Sequence, residues 1–163
     1  MASVYLVGIG MMCVAPSPAR IVCLGLGSCV AIALWDTSTK IGGVAHVMLP
    51  DERSAPKRII ANPAGKFGTT AVKALTEEMK KEGANIYTTV AKIAGGANMF
   101  KDIGVEMRDI GMKNVEAVRN SLKEGHFKVV AEDIGGELGR TVDLDTETGK
   151  LHIKTIHGRN RIL

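Results

Sequence analysis

The chain has 163 residues, 45% hydrophobic and 23% charged, with a formal net charge of +4 and a sequence pI near 9.0. That length and balance suit one domain, 1–163, with a real core, and exclude collagen-like and intrinsically disordered chains. Aromatic residues make up only 4% and the basic residues are spread along the chain, so a base-stacking platform is excluded and nucleic acid is not an expected partner.

The first 35 residues carry two charges, Arg20 and the terminal amine. Three features exclude a signal peptide or a membrane span there. No Lys or Arg precedes the apolar stretch, and Pro16, Pro18 and Arg20 interrupt it. The uncharged run Ile21–Trp35 has 15 residues and holds Gly25, Gly27 and Ser28, short of the roughly 18–20 that a span needs. Buried strands, no membrane insertion and a cytoplasmic location are expected. The three cysteines, Cys13, Cys23 and Cys29, form no CxxC pair, so neither a disulfide framework nor a zinc site is supported.

Residues 4–9 are an apolar strand candidate. Cys29–Trp35 and Ile41–Leu49 read as two buried strands around the turn-like Asp36-Thr37-Ser38-Thr39-Lys40, a hairpin. Residues 51–64, with two prolines and several charges, read as an exposed loop. From Lys66 to Glu82 the pattern turns helical, with Phe67, Ala71, Ala74, Leu75 and Met79 on one face and Gly83 as its stop. Ile86–Ile93 is a strand. A second helix fits Lys113–Glu124, with Val115, Val118 and Leu122 inward. Phe127–Glu132 is a strand, and Arg140–Asp145 with Lys150–Ile156 makes a second hairpin. Two hairpins argue against a doubly wound parallel sheet. A mixed α/β sandwich with two outer helices is expected.

Gly25-Leu26-Gly27-Ser28-Cys29 is the most unusual segment. Glycines allow close approach of a substrate, and free backbone N–H groups beside a nucleophile are what an oxyanion hole needs. A hairpin symmetric about Thr37-Ser38 would set Cys29 opposite His46, on one face and with Cβ atoms about 4.5–5.5 Å apart. A thiol beside an imidazole becomes a thiolate nucleophile with a general base. A bulge at Gly42-Gly43 would instead send His46 to the other face. On the residues alone, a catalytic pair and a buried inert cysteine both stay open. His126, His152 and His157 lie scattered with no metal-ligand spacing.

Gly25-Leu26-Gly27-Ser28-Cys29-Val30 followed by His46-Val47-Met48-Leu49-Pro50 resembles CheD, the family of chemoreceptor glutamine deamidases. Further segments agree in order: Thr70-Ala71-Val72, Lys92 to Phe100, Asn114-Val115-Glu116-Ala117-Val118, Glu132-Asp133-Ile134-Gly135-Gly136 and Gly139-Arg140-Thr141. The resemblance implies a largely antiparallel α-β-β-α sandwich similar to the cysteine deamidase toxins. It implies hydrolysis of glutamine side chains on methyl-accepting chemotaxis proteins, with Cys29 as nucleophile, His46 as base and Gly27 and Ser28 at the oxyanion, and with no metal or organic cofactor. A family threonine six positions before the nucleophile falls on Cys23, a weaker hydrogen-bonding group. The resemblance also implies a partner, the CheC phosphatase, whose binding occludes the deamidase site. Two other readings share these residues. One is a regulatory binding module for CheC or a receptor, with weak or no catalysis. The other is a cysteine amidase or transglutaminase-like enzyme with a different acyl donor, told apart by whether water or an amine is the acceptor. The basic loop Arg53–Arg58 suits an acidic receptor helix.

Overall fold

Two five-stranded sheets make the frame of the computed structural model, which describes residues 1–54, 64–99 and 109–163. The described strands are β1 Ser3–Leu6, β2 Met12–Pro16, β3 Ala19–Leu26, β4 Val30–Asp36, β5 Ile41–Val47, β6 Thr89–Gly95, β7 Lys128–Ile134, β8 Arg140–Asp145, β9 Leu151–Thr155 and β10 Asn160–Ile162. The described helices are α1 Gly68–Lys81 and α2 Ile110–Glu124. One sheet runs β1-β3-β8-β9-β10 and the other β2-β5-β4-β6-β7. Only β1–β3 and β6–β7 pair parallel among the described strands; the rest are antiparallel.

The apolar runs of β4 and β5 are explained by burial on both faces. Val30, Ile32 and Leu34 pack with Ala45 and Val47 under Ala71, Leu75 and Met79 of α1 and Val115, Val118 and Leu122 of α2. The opposite face, with Ala31, Ala33 and Val44, meets Ile21, Cys23, Val142, Leu144, Leu151 and Ile153 of the first sheet. Both described helices therefore lie on one sheet, and the order of layers is sheet, sheet, helices. The mixed α/β expectation holds, but the α-β-β-α layering does not. The cause is connectivity. Helix α1 links β5 to β6 and α2 links β6 to β7, all strands of the same sheet, so each crossover lies over that sheet. The other sheet turns outward a bidentate ion pair, Arg20 to Asp143, at 2.9 and 2.7 Å.

The helical periodicities hold with small changes. In α1, Val72 and Thr76 are buried beside Ala71, Leu75 and Met79, while Ala74 is only half-buried. Helix α2 begins at Ile110, three residues before the expected start at Lys113. The two helices cross at Gly68, where a Cβ would come within 2.7 Å of the Ala117 methyl. Strands β2 and β3 fall in the region expected to hold buried strands but were not delimited there, although Pro16-Ser17-Pro18 marks the turn between them, and β10 was not expected. The expected loop over 51–64 is described only at its ends; Lys57 and Arg58 lie outside the described residues, as does Phe100.

The β4–β5 turn is organised by Asp36, which is fully buried and accepts five hydrogen bonds. They come from the Ser38 N–H and hydroxyl, the Thr39 and Thr88 hydroxyls, and the Asn85 N–H. Burial pushes the carboxyl up, but these donors outweigh it and hold the group well below the usual carboxylate range. The turn thus joins the hairpin to the segment that leads into β6.

Candidate active site

The hairpin is longer at its tip than expected. Thr37 to Lys40 form a four-residue loop closed by the Lys40 N–H to the Asp36 carbonyl at 3.0 Å, with Lys40 at φ 60°. Val30 therefore pairs with Val47 and Ala31 with His46, so Cys29 is not directly opposite His46. The partner has moved by two residues, which preserves the face. Cys29 and His46 both point toward the first sheet, as Ala31 and Val44 do. They are diagonal neighbours, a placement with Cα atoms about 7–8 Å apart. No bulge intervenes, because Gly42 pairs with Trp35 and Gly43 with Leu34 in continuous register. Those glycines answer packing instead. A Cβ on Gly42 would lie 2.7 Å from Thr146 Cγ2, and one on Gly43 would lie 2.9 Å from Leu75 Cδ1.

His46 is 1% exposed. Its Nδ1 lies 3.3 Å from the Val7 carbonyl oxygen. A carbonyl only accepts, so Nδ1–H donates and Nε2 carries the lone pair. Nε2 is buried and has no hydrogen-bond partner among the described residues, and unpartnered buried polar atoms are rare in folded proteins. Burial pushes the imidazole pKa down, against the opposing Val7 bond, so His46 is neutral near pH 7. Burial also pushes the half-buried Cys29 thiol up, opposed by its own backbone N–H. The resting pair is a neutral thiol and a neutral imidazole, not the preformed thiolate that adjacency suggested. For a neutral thiol and imidazole to act as nucleophile and base, proton transfer would have to accompany attack, and free enzymes often tighten such contacts only on binding substrate.

The Gly27–Cys29 loop is tied to the end of β6. The Gly96 N–H donates to the Cys29 carbonyl at 2.8 Å, and the Ala97 N–H to the Gly27 carbonyl at 2.9 Å. Gly95, at φ 116°, lies so close that a Cβ would collide with the Cys29 carbonyl oxygen. Gly95→Ala is expected to cost about 2–5 kcal/mol in backbone strain and overpacking, which lowers the melting temperature by about 10 °C. A thermal melt within 2 °C or so of wild type, on that same scale, would contradict this packing. Gly25 and Gly27 also wall a cleft of about 370 Å³ together with Met99, Gly139, Arg140 and Ile156. Two of the glycine-rich segments of the sequence, 25–27 and 135–139, thus turn up at or beside one concavity, with Arg140 bonded to the Asp133 side chain and the Gly135 carbonyl.

Cys23 is fully buried on the inner face of β3, in one cluster with Cys13 and Cys29. Its thiol is pushed up to about 12, chiefly by burial and then by Cys29 and Cys13. A raised pKa contributes stability that is complete below the ordinary thiol value of 9.0 and is lost as pH rises toward the folded value. At pH 10 the loss from this group is about 1.4 kcal/mol. Cys23→Thr should therefore flatten the alkaline decline in melting temperature between pH 8 and pH 10 by about 3–6 °C. Parallel curves for the two proteins would show that the buried thiol does not titrate this way. The His46 Nδ1 contact is made by the Val7 carbonyl, a main-chain group whose role leaves no mark on the sequence.

Residues 48–155 match the family model described as CheD, chemotactic sensory transduction. A relative in Clostridium tetani, a probable chemoreceptor glutamine deamidase CheD, is 48% identical over 153 residues, 93% of this chain and 91% of its own. The chemoreceptor glutamine deamidase CheD of Thermotoga maritima is 46% identical over 156 residues, 96% of this chain and 94% of its own. A probable chemoreceptor glutamine deamidase CheD of Clostridium botulinum is 46% identical over 151 residues, 92% of this chain and 91% of its own. Among solved structures, the Bacillus licheniformis hypothetical protein YfiH overlays with a TM-score of 0.46 at 12% identity, covering 75% of this chain and 49% of that one. The chain belongs to the CheD family.

Proposed function

We propose that this protein hydrolyses glutamine side-chain amides on methyl-accepting chemotaxis proteins to glutamate and ammonia, a reading supported by relatives named chemoreceptor glutamine deamidase. The observation that carries the mechanism is His46. Its Nδ1–H is fixed on the Val7 carbonyl and its Nε2 lone pair is buried without a partner among the described residues, on the same inward face as Cys29. Nε2 takes the Cys29 proton as the sulfur attacks the amide carbonyl. Backbone N–H groups at Gly27 and Ser28 hold the oxyanion. The protonated imidazole then gives its proton to the departing ammonia, leaving a thioester. Water attacks the thioester, with Nε2 taking its proton, and glutamate leaves while the thiol is restored. Each step conserves atoms with two side chains and one water. Cys23 occupies the family's third position and packs beside Cys29.

The same reading makes 1–163 one CheD-like domain working in the cytoplasm, with an α/β sandwich akin to the cysteine deamidase toxins. CheC is its second partner and covers the cleft when bound. No described helix is long and apolar enough to cross a membrane. The test is ammonia release from a purified receptor cytoplasmic fragment. Release that scales with enzyme and stops when receptor glutamines are exhausted supports the proposal. A folded protein that releases none from its cognate receptors favours the reading as a binding module.

A further inference from the structure

Helix α2 carries a polar residue where its neighbours are apolar. Asn114 is fully buried, one residue from Val115 and four from Val118 in the core. Its amide donates to two main-chain carbonyls on different strands' ends: Ser28 at 2.9 Å and Met48 at 3.0 Å. Both partners are carbonyl oxygens that only accept, so chemistry alone fixes the amide orientation. Ser28 immediately precedes Cys29, and Met48 lies two residues beyond His46. These two carbonyls extend the hairpin just past its last pair, Val30 with Val47. One side chain from another layer of the fold thus clamps the segment that carries the nucleophile to the strand that carries the base.

The clamp has a cost that packing alone would not incur. The Asn114 Oδ1 is buried with no partner among the described residues, and a buried acceptor left unpaired is unfavourable. An apolar residue of similar size would avoid that cost and fill the same space. The retained amide therefore has its use in the two bonds it makes. Cys29 sits outside the regular ladder, and its own carbonyl and that of Gly27 are held from the β6 side. Without Asn114, nothing on the helix side fixes the Ser28 peptide against β5 among the contacts described.

We infer that Asn114 is a positioning residue for the deamidation, setting the spacing of Cys29 and His46 by bridging the Ser28 and Met48 carbonyls. This rests on the proposed Cys29–His46 chemistry. A displacement of about 1 Å between reacting groups costs about 10²-fold in rate. The expected result for Asn114→Ala is therefore a fall of about 10²-fold in kcat with KM unchanged, because neither Asn114 nor the Ser28 and Met48 it bonds walls the cleft at Gly25 and Gly27. Val118→Ala, which opens a cavity on the same helix without touching either strand end, should keep kcat within about threefold at equal or greater loss of stability. Should the alanine variant fail to fold, Asn114→Ser, which keeps one donor, is measured in its place and should fall short of wild type in kcat in the same way.

Iodoacetamide alkylation of Cys29 across pH separates this inference from the reading beneath it. In wild type the Cys29 alkylation profile should carry a His46-dependent inflection that His46→Asn removes. Asn114→Ala should weaken or shift that inflection, and this is measured without any receptor. Receptor turnover absent in wild type would overturn the deamidase reading, while the alkylation profile would still decide the clamp. An unchanged profile and unchanged kcat in Asn114→Ala would overturn the inference, as would an equal loss of kcat in Val118→Ala.

Discussion

Cys29→Ala should lose receptor deamidation altogether, at least 10⁴-fold and on the order of 10⁶-fold where the assay reaches that far. The protein should stay folded. Cys29 is half-buried at the mouth of β4 and its sulfur makes no hydrogen bond to another residue among those described. Removing one sulfur from such a place costs about 1 kcal/mol, or about 2–4 °C in melting temperature. The size of the contrast is the point. A binding module that keeps only the fold would show the same small stability change and no activity to lose. Cys13→Ala and Cys23→Thr provide the comparison, because all three thiols share one cluster and Cys13, opposite Val44 on β2, flanks β5 on the side away from Cys29. Turnover by Cys29→Ala, measured as ammonia release, would remove Cys29 from the mechanism.

His46→Asn should lower kcat by about 10²–10⁴-fold while keeping the site closed. The asparagine amide reaches the position of Nδ1 and can still donate to the Val7 carbonyl, but it has no counterpart to Nε2. The pH profile gives a second signature. Burial lowers the His46 pKa from 6.5, so the acid limb of kcat/KM should fall below pH 6.5. Burial raises the Cys29 pKa from 9.0, so the alkaline limb should lie above pH 9.0. The active plateau is therefore wider than those two ordinary values enclose. In His46→Asn the acid limb should vanish with the base that produced it. An acid limb that persists unchanged in this variant would mean that another group takes the proton.

The site was legible in the sequence to the extent that it depends on parity. Alternation along β4 and β5 puts Cys29 and His46 on one face in any register that shifts by an even number of residues, and the four-residue turn shifts it by two. The turn itself was misjudged, because Asp36 spends its carboxylate on Ser38, Thr39, Thr88 and Asn85 and holds the loop open to Lys40. Gly42 and Gly43 left a bulge open in the sequence and are packing glycines, a distinction set by Thr146 and Leu75 from distant parts of the chain. Helix faces were readable from periodicity, but the side of the sheet they cover was not. That depends on which sheet β5, β6 and β7 join, a long-range pairing with no local signal. The Val7 carbonyl and the Asn114 clamp were out of reach for the same reason. One is main chain, and the other lies 68 positions from His46 and was visible only as part of a resembling motif.

The most direct measurement is peptide-level mass spectrometry of a receptor cytoplasmic fragment incubated in ¹⁸O-enriched water with wild type and with Cys29→Ala. Cys29–His46 hydrolysis predicts that particular glutamines become glutamates carrying one oxygen from the solvent, with wild type only. Glutamines that stay intact with folded wild type, conversion that survives in Cys29→Ala, or an amine rather than solvent oxygen at the modified position would contradict it.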